Sequence, residues 1–282
     1  MHHTPDRLDP ERIMVYGSPG AGKSSAVRDL VADGQRVIVI DTERAYRRML
    51  RGLTYSPDDI HDVATLAMER DEREWEVLLA ELDEILAEAY EDVDAARDWW
   101  LVIDSFTPTW DWCQASYIEQ IHGKEDVNYF IQRRKEMEQA AKMGNPLDGN
   151  HDWTYINKMF NVLYNKLLNW PGHTLITAEA APVDDRDAAE VQKRYAGIGM
   201  KPKGQKRAPH IPQTLILARK TTRGWSYLTV KDREREEMLD ADAEDGFVEV
   251  YLVGVAEWES GDSPVLVSEM SPRERALARA RG

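Results

Sequence analysis

The sequence predicts an α/β fold with a mostly parallel central sheet, flanking helices and a late β-hairpin. Three observations support this prediction. Short β-branched runs such as 36–40 recur along the chain and stop at acidic residues or glycine, as buried parallel strands do. A glycine-rich turn separates the first run, 12–16, from a segment of helical character at 24–32. Two late runs, 214–217 and 225–230, are separated by a short turn, as in a hairpin.

The other elements follow from apolar runs and from the turn residues between them. Strands are predicted at 12–16, 36–40, 99–103, 173–177 and 247–255, in addition to the hairpin. Helices are predicted at 24–32, 112–121, 127–143 and 153–169. We expect residues 1–261 to form a single domain and residues 262–282, which are rich in Pro, Ser and Arg, to form a tail.

Residues 71–98 have the pattern of an amphipathic helix. Apolar residues recur at helical spacing, at Trp75, Leu78, Leu79, Leu82, Ile85, Leu86 and Ala89. Acidic residues lie mostly on the other side, at Glu74, Glu76, Glu81, Asp83, Glu84 and Glu88. A helix that covers the sheet and exposes an acidic face explains this pattern, and an acidic docking surface is the alternative.

Composition excludes several classes of protein. The chain has 282 residues and a net charge of −15, which argues against a protein that coats nucleic acid with its whole surface. Its single cysteine, Cys113, excludes an intramolecular disulfide framework and a four-cysteine zinc site. No apolar run reaches the ~18 residues of a membrane span, and the N-terminus lacks the apolar core of a signal peptide. These features predict no membrane partner and a cytoplasmic location.

Residues 17–24 match the phosphate-loop motif G-x-x-x-x-G-K-[ST] in full, with a strand before it and a helix after it. Glycines let the backbone curl so that its N–H groups face phosphate oxygens, and the following helix presents its N-terminus to the same anion. Lys23 would reach the terminal phosphates, and the Ser24 hydroxyl would bind Mg²⁺. The predicted nucleotide site comprises Gly17, Ser18, Pro19, Gly20, Ala21, Gly22, Lys23, Ser24 and Ser25. The predicted ligands are ATP and Mg²⁺.

Two acidic residues after apolar strands are the candidates for metal binding and water activation. Asp104 ends the run 99–103, which is the position of a metal-binding aspartate, and Ser105 rather than glutamate follows it. Glu43 lies just beyond the second strand, and carboxyl ends of parallel strands converge on the ligand crevice. We expect Glu43 to orient the attacking water. An ordinary strand-end aspartate and a solvated glutamate are the alternatives.

Three segments resemble the RecA class of ATPases. Residues 39–43 resemble the segment that carries the catalytic glutamate of that class, and residues 101–105 resemble its metal-binding strand. Residues 215–224 are similar to the late strand and basic turn of RecA/RadA recombinases. The resemblance spans residues 12–231 and implies a RecA-like P-loop core, ATP hydrolysis, and assembly into a ring or filament. The short chain resembles phage-type members, which implies recombination or annealing of single-stranded DNA.

The resemblance also implies roles for residues near the strand ends. Glu179 follows the fourth strand, where RecA relatives carry a polar sensor of the γ-phosphate that is usually glutamine. Arg219 and Lys220, with Arg223, form a cationic cluster by the late hairpin. Such cations stabilise transition-state charge across a subunit interface, as an arginine finger does, or are simply solvated.

The segment 191–210 is the candidate DNA-binding region, within a basic loop at about 185–210 that we expect to be mobile. Residues 191–210 contain no acidic residue, and their cations are Lys193, Arg194, Lys201, Lys203, Lys206 and Arg207. Several Gly and Pro residues predict an irregular, flexible backbone. A cationic loop of this kind follows a phosphate backbone without reading bases, and the resemblance implies that the backbone is single-stranded DNA. A solvated loop or a subunit contact is the alternative.

Three other functions remain open on the sequence. A helicase or packaging motor would use the same core to translocate DNA. A nucleotide-gated scaffold would bind ATP without hydrolysing it. A small-molecule kinase would use the segment 191–210 as a lid over its acceptor.

Overall fold

The computed structural model of the protein describes residues 10–123, 126–142, 150–195, 197–205, 208–222, 224–232, 241–242 and 246–248. The strands are β1 (Arg12–Gly17), β2 (Val37–Asp41), β3 (Ile60–Asp62), β4 (Trp100–Asp104), β5 (His173–Pro182), β6 (Met200–Pro202), β7 (Thr214–Thr221), β8 (Gly224–Lys231) and β9 (Ala241–Asp242). The helices are α1 (Lys23–Ala32), α2 (Tyr46–Met49), α3 (Val63–Arg70), α4 (Glu74–Glu91), α5 (Val93–Ala96), α6 (Thr107–His122), α7 (Asp126–Lys142), α8 (Asn150–Asn169) and α9 (Ala189–Tyr195). Two 3-10 turns span Pro57–Asp59 and Ala208–His210.

One sheet with a parallel centre organises the molecule. Its strand order is β3-β2-β4-β5-β1-β7-β8-β9, and β6 pairs with β5 outside this path. Every pairing from β3 through β7 is parallel, whereas β8 and β9 continue antiparallel and β6 is antiparallel to β5. The carboxyl ends of the six parallel strands, β3, β2, β4, β5, β1 and β7, therefore lie along a single edge, where α/β proteins bind their ligands.

Helices cover both faces of the sheet at its central strands. Successive side chains of a strand point to opposite faces, so these strands are buried on both sides. In β1, Ile13 and Val15 face the side covered by α1 and α2, whereas Met14 and Tyr16 face the side covered by α3, α4, α6 and α8. All four side chains have no exposed surface. This double burial explains why the central strands are continuous apolar runs rather than alternating ones.

The predicted α/β class, with its mostly parallel sheet, flanking helices and late hairpin, is confirmed. The four predicted core strands are β1, β2, β4 and β5, and the predicted hairpin is β7 and β8. The elements that were not predicted include the edge strand β3, the helix α3, the short helices α2 and α5, and the two-residue strand β9. None of the described helices is both long enough and apolar enough to cross a membrane.

Two detailed predictions were wrong, and a third is contradicted at its first two residues. Glu81 lies in the core rather than on the solvated acidic face, with 3% of its surface exposed. The described part of the segment 191–210 is not irregular throughout, because it contains the end of α9 and the strand β6, which pairs with β5. The predicted strand 247–255 begins with helical backbone at 246–248, and its remainder lies outside the described residues. The predicted tail, 262–282, also lies outside them.

Candidate functional site

The carboxyl edge of the sheet brings together side chains that are far apart in the sequence. Strand pairing places Asp41 of β2 beside Asp104 of β4, and Gly17 of β1 beside Glu179 of β5. Because β4 and β5 are neighbours, these two pairs lie next to each other along the edge. The predicted phosphate loop follows Gly17 directly, so it opens onto this row of acidic residues.

The phosphate loop needs glycine at two positions for different reasons. A Cβ atom on Gly17 would lie 2.3 Å from the carbonyl oxygen of Ala218 in β7, so only glycine allows the two strands to pair this closely. Gly22 has a φ of +92°, in the left-handed region, and immediately precedes α1. The chain therefore turns sharply and presents the N-terminus of α1 to the space enclosed by the loop.

Lys23 folds back onto the loop. Its Nζ atom donates to the carbonyl oxygens of Gly17 at 3.1 Å and Ser18 at 3.2 Å. These carbonyls hold the ammonium group at the mouth of the loop, where a triphosphate would approach. Anionic phosphate oxygens are stronger partners for an ammonium than neutral carbonyls are, so ligand binding would exchange one set for the other.

The late hairpin closes one side of the loop. The indole Nε1 of Trp225 donates to the carbonyl oxygen of Gly20 at 3.1 Å, and Tyr227 Oη donates to that of Gly22 at 3.4 Å. The Nζ atom of Lys220 lies 5.3 Å from the centre of the Trp225 ring. Trp225 keeps 47% of its surface exposed although it contacts the loop, so it lines the approach to the site.

Asp104 is a buried carboxylate with both oxygens engaged. It has 3% of its surface exposed. Its Oδ2 accepts from the hydroxyl of Tyr46 at 2.5 Å, and its Oδ1 accepts from the hydroxyl of Thr177 in β5. Hydroxyl donors on both oxygens compensate the carboxylate for its loss of water and fix its orientation. Since each carboxylate oxygen has a second lone pair, Asp104 still has acceptor capacity toward the loop.

Glu43 is held beside Asp104 by a turn that Asp41 organises. The buried carboxylate of Asp41 accepts from the backbone N–H groups of Glu43 and Tyr46, each at 3.0 Å. Removal from water raises the pKa of Glu43, the negative charges of Asp104 and Glu179 raise it further, and Lys23 and a hydrogen bond with Ser105 oppose the rise. The charges of Lys23, Asp104 and Glu179 are therefore close enough to influence the ionisation of Glu43.

A layer of buried hydroxyl groups beneath Glu43 ties the strand ends together. Thr42 Oγ1 donates to the carbonyl oxygen of Ser105 at 2.9 Å and accepts from the Ser105 N–H at 2.7 Å. Thr107 Oγ1 accepts from the backbone N–H of Glu179 at 2.9 Å. These bonds join the ends of β2, β4 and β5, so the acidic side chains above them have fixed spacing.

Glu179 connects this site to the segment 191–210. The Nζ atom of Lys203 donates to Glu179 Oε2 at 2.6 Å, and the Lys203 N–H donates to the Glu179 carbonyl at 2.7 Å. This ion pair raises the pKa of Lys203. Lys201, two residues earlier, forms an ion pair with Asp187. Both lysines thus have acidic partners outside the segment that the sequence analysis singled out for its lack of acidic residues.

The other predicted residues have the following positions. Lys193 and Arg194 lie on α9, whereas Lys206, Arg207 and Arg223 lie outside the described residues. Arg219 Nε donates to Ser226 Oγ at 2.9 Å across the hairpin. Arg219 and Lys220 lie near the end of β7, beside the phosphate loop.

The oxygen donors of the site suit magnesium. Mg²⁺ prefers oxygen ligands and is usually bound through one or two protein groups together with phosphate oxygens and water. Ser24 and Asp104 provide a hydroxyl and a carboxylate. In the part of the chain that the structure describes, no group of three or more His, Cys, Asp or Glu side chains could hold a metal alone. The donor set therefore fits a Mg²⁺ ion that arrives with a triphosphate.

The structure brings Glu43, Asp104, Lys23 and Glu179 to one place, as the sequence analysis expected. It adds Tyr46, Thr177 and Trp225, which the sequence analysis did not single out. Tyr46 reaches the site from α2, Thr177 from the neighbouring strand β5 and Trp225 from the hairpin, and their spacing in the sequence did not indicate these contacts.

Comparisons with known proteins give one family and several distant structural likenesses. The crystal structure of the RadB recombinase has a TM-score of 0.41 and 16% identity, over 83% of this chain and 87% of that one. A KaiC-like protein from the archaeon Pyrococcus horikoshii OT3 has a TM-score of 0.38 and 17% identity, over 79% of each chain. An ATPase from the type III secretion system of pathogenic bacteria has a TM-score of 0.36 and 15% identity, over 74% of this chain and 52% of that one.

The family assignment rests on the sequence rather than on these likenesses. A search of curated proteins gives no significant match. A family model described as "AAA domain" matches residues 9–215, which is well over half of the chain and contains the phosphate loop, Glu43, Asp104 and Glu179. The chain therefore belongs to this AAA domain family.

Proposed function

We propose that the protein binds ATP with Mg²⁺ at the phosphate loop and hydrolyses it. The observation that carries this proposal is the convergence of Lys23, Glu43 and Asp104 at one edge of the sheet, beside a complete phosphate-loop motif. A glycine-rich turn that matched the motif only by chance would not be expected to lie beside two acidic side chains from neighbouring strands. Membership of an AAA domain family supports the same function.

Each residue has a separate task in this mechanism. The loop N–H groups and Lys23 would bind the phosphates, and Ser24 and Asp104 would hold the metal ion. A Mg²⁺ ion bound there supplies positive charge that neutralises the phosphate oxygens during transfer. Glu43 would orient the attacking water and accept its proton. A raised pKa favours this role, because a carboxylate with a higher pKa is a stronger base.

We further propose that single-stranded DNA binds the segment 191–210 and alters hydrolysis through Lys203. A DNA phosphate would compete with Glu179 for the ammonium of Lys203, with which Glu179 now pairs at 2.6 Å. Release of Glu179 would change the charge next to Glu43, whose pKa already responds to Glu179. The resemblance to phage-type RecA-like ATPases supports recombination or strand annealing as the setting of this activity.

We also propose that the protein self-associates, as a ring or a filament. Exposed apolar side chains on α6 and α8 support this proposal: Ile121, Trp153, Tyr155, Val162 and Leu168. Large apolar groups that remain exposed on one chain are suited to burial against another. Sedimentation of the protein with and without ATP would reveal a species larger than one chain if self-association occurs.

The experiment that tests the proposed function is phosphate release from ATP, measured with and without single-stranded DNA. We expect Mg²⁺-dependent release that DNA accelerates and that Lys23→Ala abolishes, since the loop lysine binds the phosphates. Loss of release in that variant shows that the activity belongs to this protein.

Other outcomes would favour the other functions. Release at background level with ATP still bound would favour the scaffold. DNA-independent transfer of phosphate to a nucleoside monophosphate would favour the kinase. Strand separation driven by ATP in a directional unwinding assay would favour the motor.

A further inference from the structure

Tyr46 is a buried residue of the site to which the proposed mechanism gives no task. It begins α2, three residues after Glu43, and has no exposed surface. Its ring packs in the apolar cluster on the α1 side of the sheet, and its backbone N–H donates to Asp41. The ring and the backbone thus have structural roles, but the hydroxyl points at polar groups of the site.

The hydroxyl of Tyr46 lies near both residues that would hold Mg²⁺. It donates to Asp104 Oδ2 at 2.5 Å, and the Ser24 side chain is close enough to oppose the rise in the pKa of Tyr46 that burial causes. Since the Tyr46 proton is directed to Asp104, the phenol oxygen has lone pairs left that would accept the Ser24 hydroxyl proton. The arrangement therefore suits a chain in which Ser24 would donate to Tyr46 while Tyr46 donates to Asp104.

This direction of donation matters for metal binding by Ser24. A serine hydroxyl has one proton and two lone pairs, and it binds a cation only through a lone pair. An acceptor that holds the proton leaves the lone pairs free for the cation. The negative charge of Asp104, transmitted through Tyr46, would also make the Ser24 oxygen a better ligand, as groups behind metal ligands commonly do.

We propose that Tyr46 is a positioning residue for the divalent cation. Its hydroxyl fixes the Ser24 hydroxyl and links it to Asp104. The proposal rests on the proposed function, because it requires Mg²⁺ to bind with ATP. The hydroxyl of Tyr46, and not its ring, would support the metal ligands. A purely structural tyrosine would need only the ring and the backbone N–H, so removal of the hydroxyl separates the two roles.

The test is the Mg²⁺ dependence of binding of a fluorescent, non-hydrolysable ATP analogue to Tyr46→Phe. We expect the Mg²⁺ concentration for half-maximal tightening to rise by about 10-fold or more, the usual effect of removing a group that supports a metal ligand. In EDTA, we expect the affinity for the analogue to stay within about twofold of the wild type, since the phosphate loop is untouched. An unchanged Mg²⁺ midpoint in this variant would overturn the proposal.

Tyr164→Phe is the matched control. Tyr164 is also buried, at 5% exposure, and its hydroxyl donates to Gln205 Oε1 at 2.9 Å rather than to the site. This variant loses one buried tyrosine hydroxyl bond and should keep the wild-type Mg²⁺ midpoint. An equal shift in both variants would mean that loss of stability, not loss of metal positioning, is the cause, and would overturn the proposal.

A measurement on the wild-type protein keeps the proposal testable if Tyr46→Phe does not fold. The short bond from Tyr46 to Asp104 should give a downfield hydroxyl proton resonance that persists when Mg²⁺ and the analogue are bound. Disappearance of that resonance on Mg²⁺ binding would overturn the proposal. Failure of the proposed function is a different result: the wild-type protein would then not bind the analogue, or Mg²⁺ would not affect its affinity.

Discussion

Glu43 illustrates how a single side chain acquires its chemistry from neighbours on other strands. Partial removal from water and the charges of Asp104 and Glu179 raise its pKa, and Lys23 opposes that rise. A carboxyl group with a raised pKa in the folded protein is less stable as an anion there than in the unfolded chain. The ionised form of Glu43 therefore costs stability at neutral pH, although the proposed mechanism requires it as the base.

We predict that Glu43→Gln lowers the rate of ATP hydrolysis by about 100-fold or more, since glutamine cannot accept a proton. In the wild-type protein, the rate should fall as the pH drops through a pKa above the ordinary glutamate value of 4.5. The same substitution should raise the melting temperature at pH 7, because it removes an unfavourable charge. Phosphate release between pH 4 and 9 and thermal unfolding measure the two effects.

Glu69→Gln is the control, because Glu69 is an exposed glutamate on α3. It should leave the rate and its pH profile unchanged. A Glu43→Gln protein that hydrolyses ATP at the wild-type rate would show that another group activates the water.

The helix α4 contains one buried acidic residue, Glu81, among acidic residues that are partly or fully exposed. Glu81 has 3% of its surface exposed, and its two oxygens pair with Arg70 at 2.5 Å and His61 at 2.6 Å. It joins α4 to α3 and to β3. Its place in the sequence among exposed glutamates predicted the opposite, because a helical pattern cannot reveal a partner that another element supplies.

We predict that Glu81→Ala lowers the free energy of unfolding by about 2 kcal/mol. The loss leaves Arg70 and His61 without their partner, but Arg70 is about one-third exposed and water partly compensates it. Urea unfolding followed by circular dichroism measures the change. Glu84→Ala, at an exposed position of the same helix, should change stability by less than about 0.5 kcal/mol. Equal effects of the two substitutions would contradict the burial of Glu81.

Elements differed in how well their sequence predicted them. The phosphate loop was predictable because its chemistry is local: Gly17, Lys23 and Ser24 lie within one strand–turn–helix unit. The strand β6 was not, because Pro202 and its neighbouring glycines favour a loop, and only pairing with β5 orders it. Contacts of Tyr46 and Trp225 were also not predictable, since they depend on strand order and on the path of the hairpin.

At the scale of the whole molecule, charge is distributed unevenly. The net charge is −15, yet residues 191–210 carry six positive charges and no negative one. The negative net charge would repel a nucleic acid overall, so binding at this segment should be local and weakened by salt. The structure qualifies this picture, because Lys201 and Lys203 pair with Asp187 and Glu179 and must exchange these partners for DNA.

We predict that replacing Lys201, Lys203, Lys206 and Arg207 by Gln weakens single-stranded DNA binding and flattens its salt dependence. Each lost phosphate contact should reduce the slope of log K against log salt by about 0.7. Fluorescence anisotropy of a labelled oligonucleotide over a salt series measures both effects.

Four exposed cations outside the segment provide a control with the same change in net charge: Arg28, Arg51, Arg97 and Lys158. Their replacement by Gln should weaken binding much less. Similar losses in both variants would mean that net charge, and not the segment, governs binding.

The sheet as a whole determines the site. Local patterns predicted which strands exist and which acidic residues end them, whereas the strand order that places Asp104 between Asp41 and β5 is a property of the assembled sheet. Glu43 and Asp104 could be proposed as partners only because parallel strands share a carboxyl edge. The hydroxyl groups that fix their spacing became apparent once the strands were in register.

The most direct test of the proposed site is the crystal structure of the protein with Mg²⁺ and a non-hydrolysable ATP analogue. We predict that the triphosphate lies along residues 17–24, with Lys23 moved from the carbonyls of Gly17 and Ser18 to the terminal phosphate and with Glu43 facing that phosphate. A triphosphate bound elsewhere, or Lys23 still on those carbonyls while the nucleotide is bound, would contradict the assignment of this edge of the sheet as an ATP-hydrolysing site.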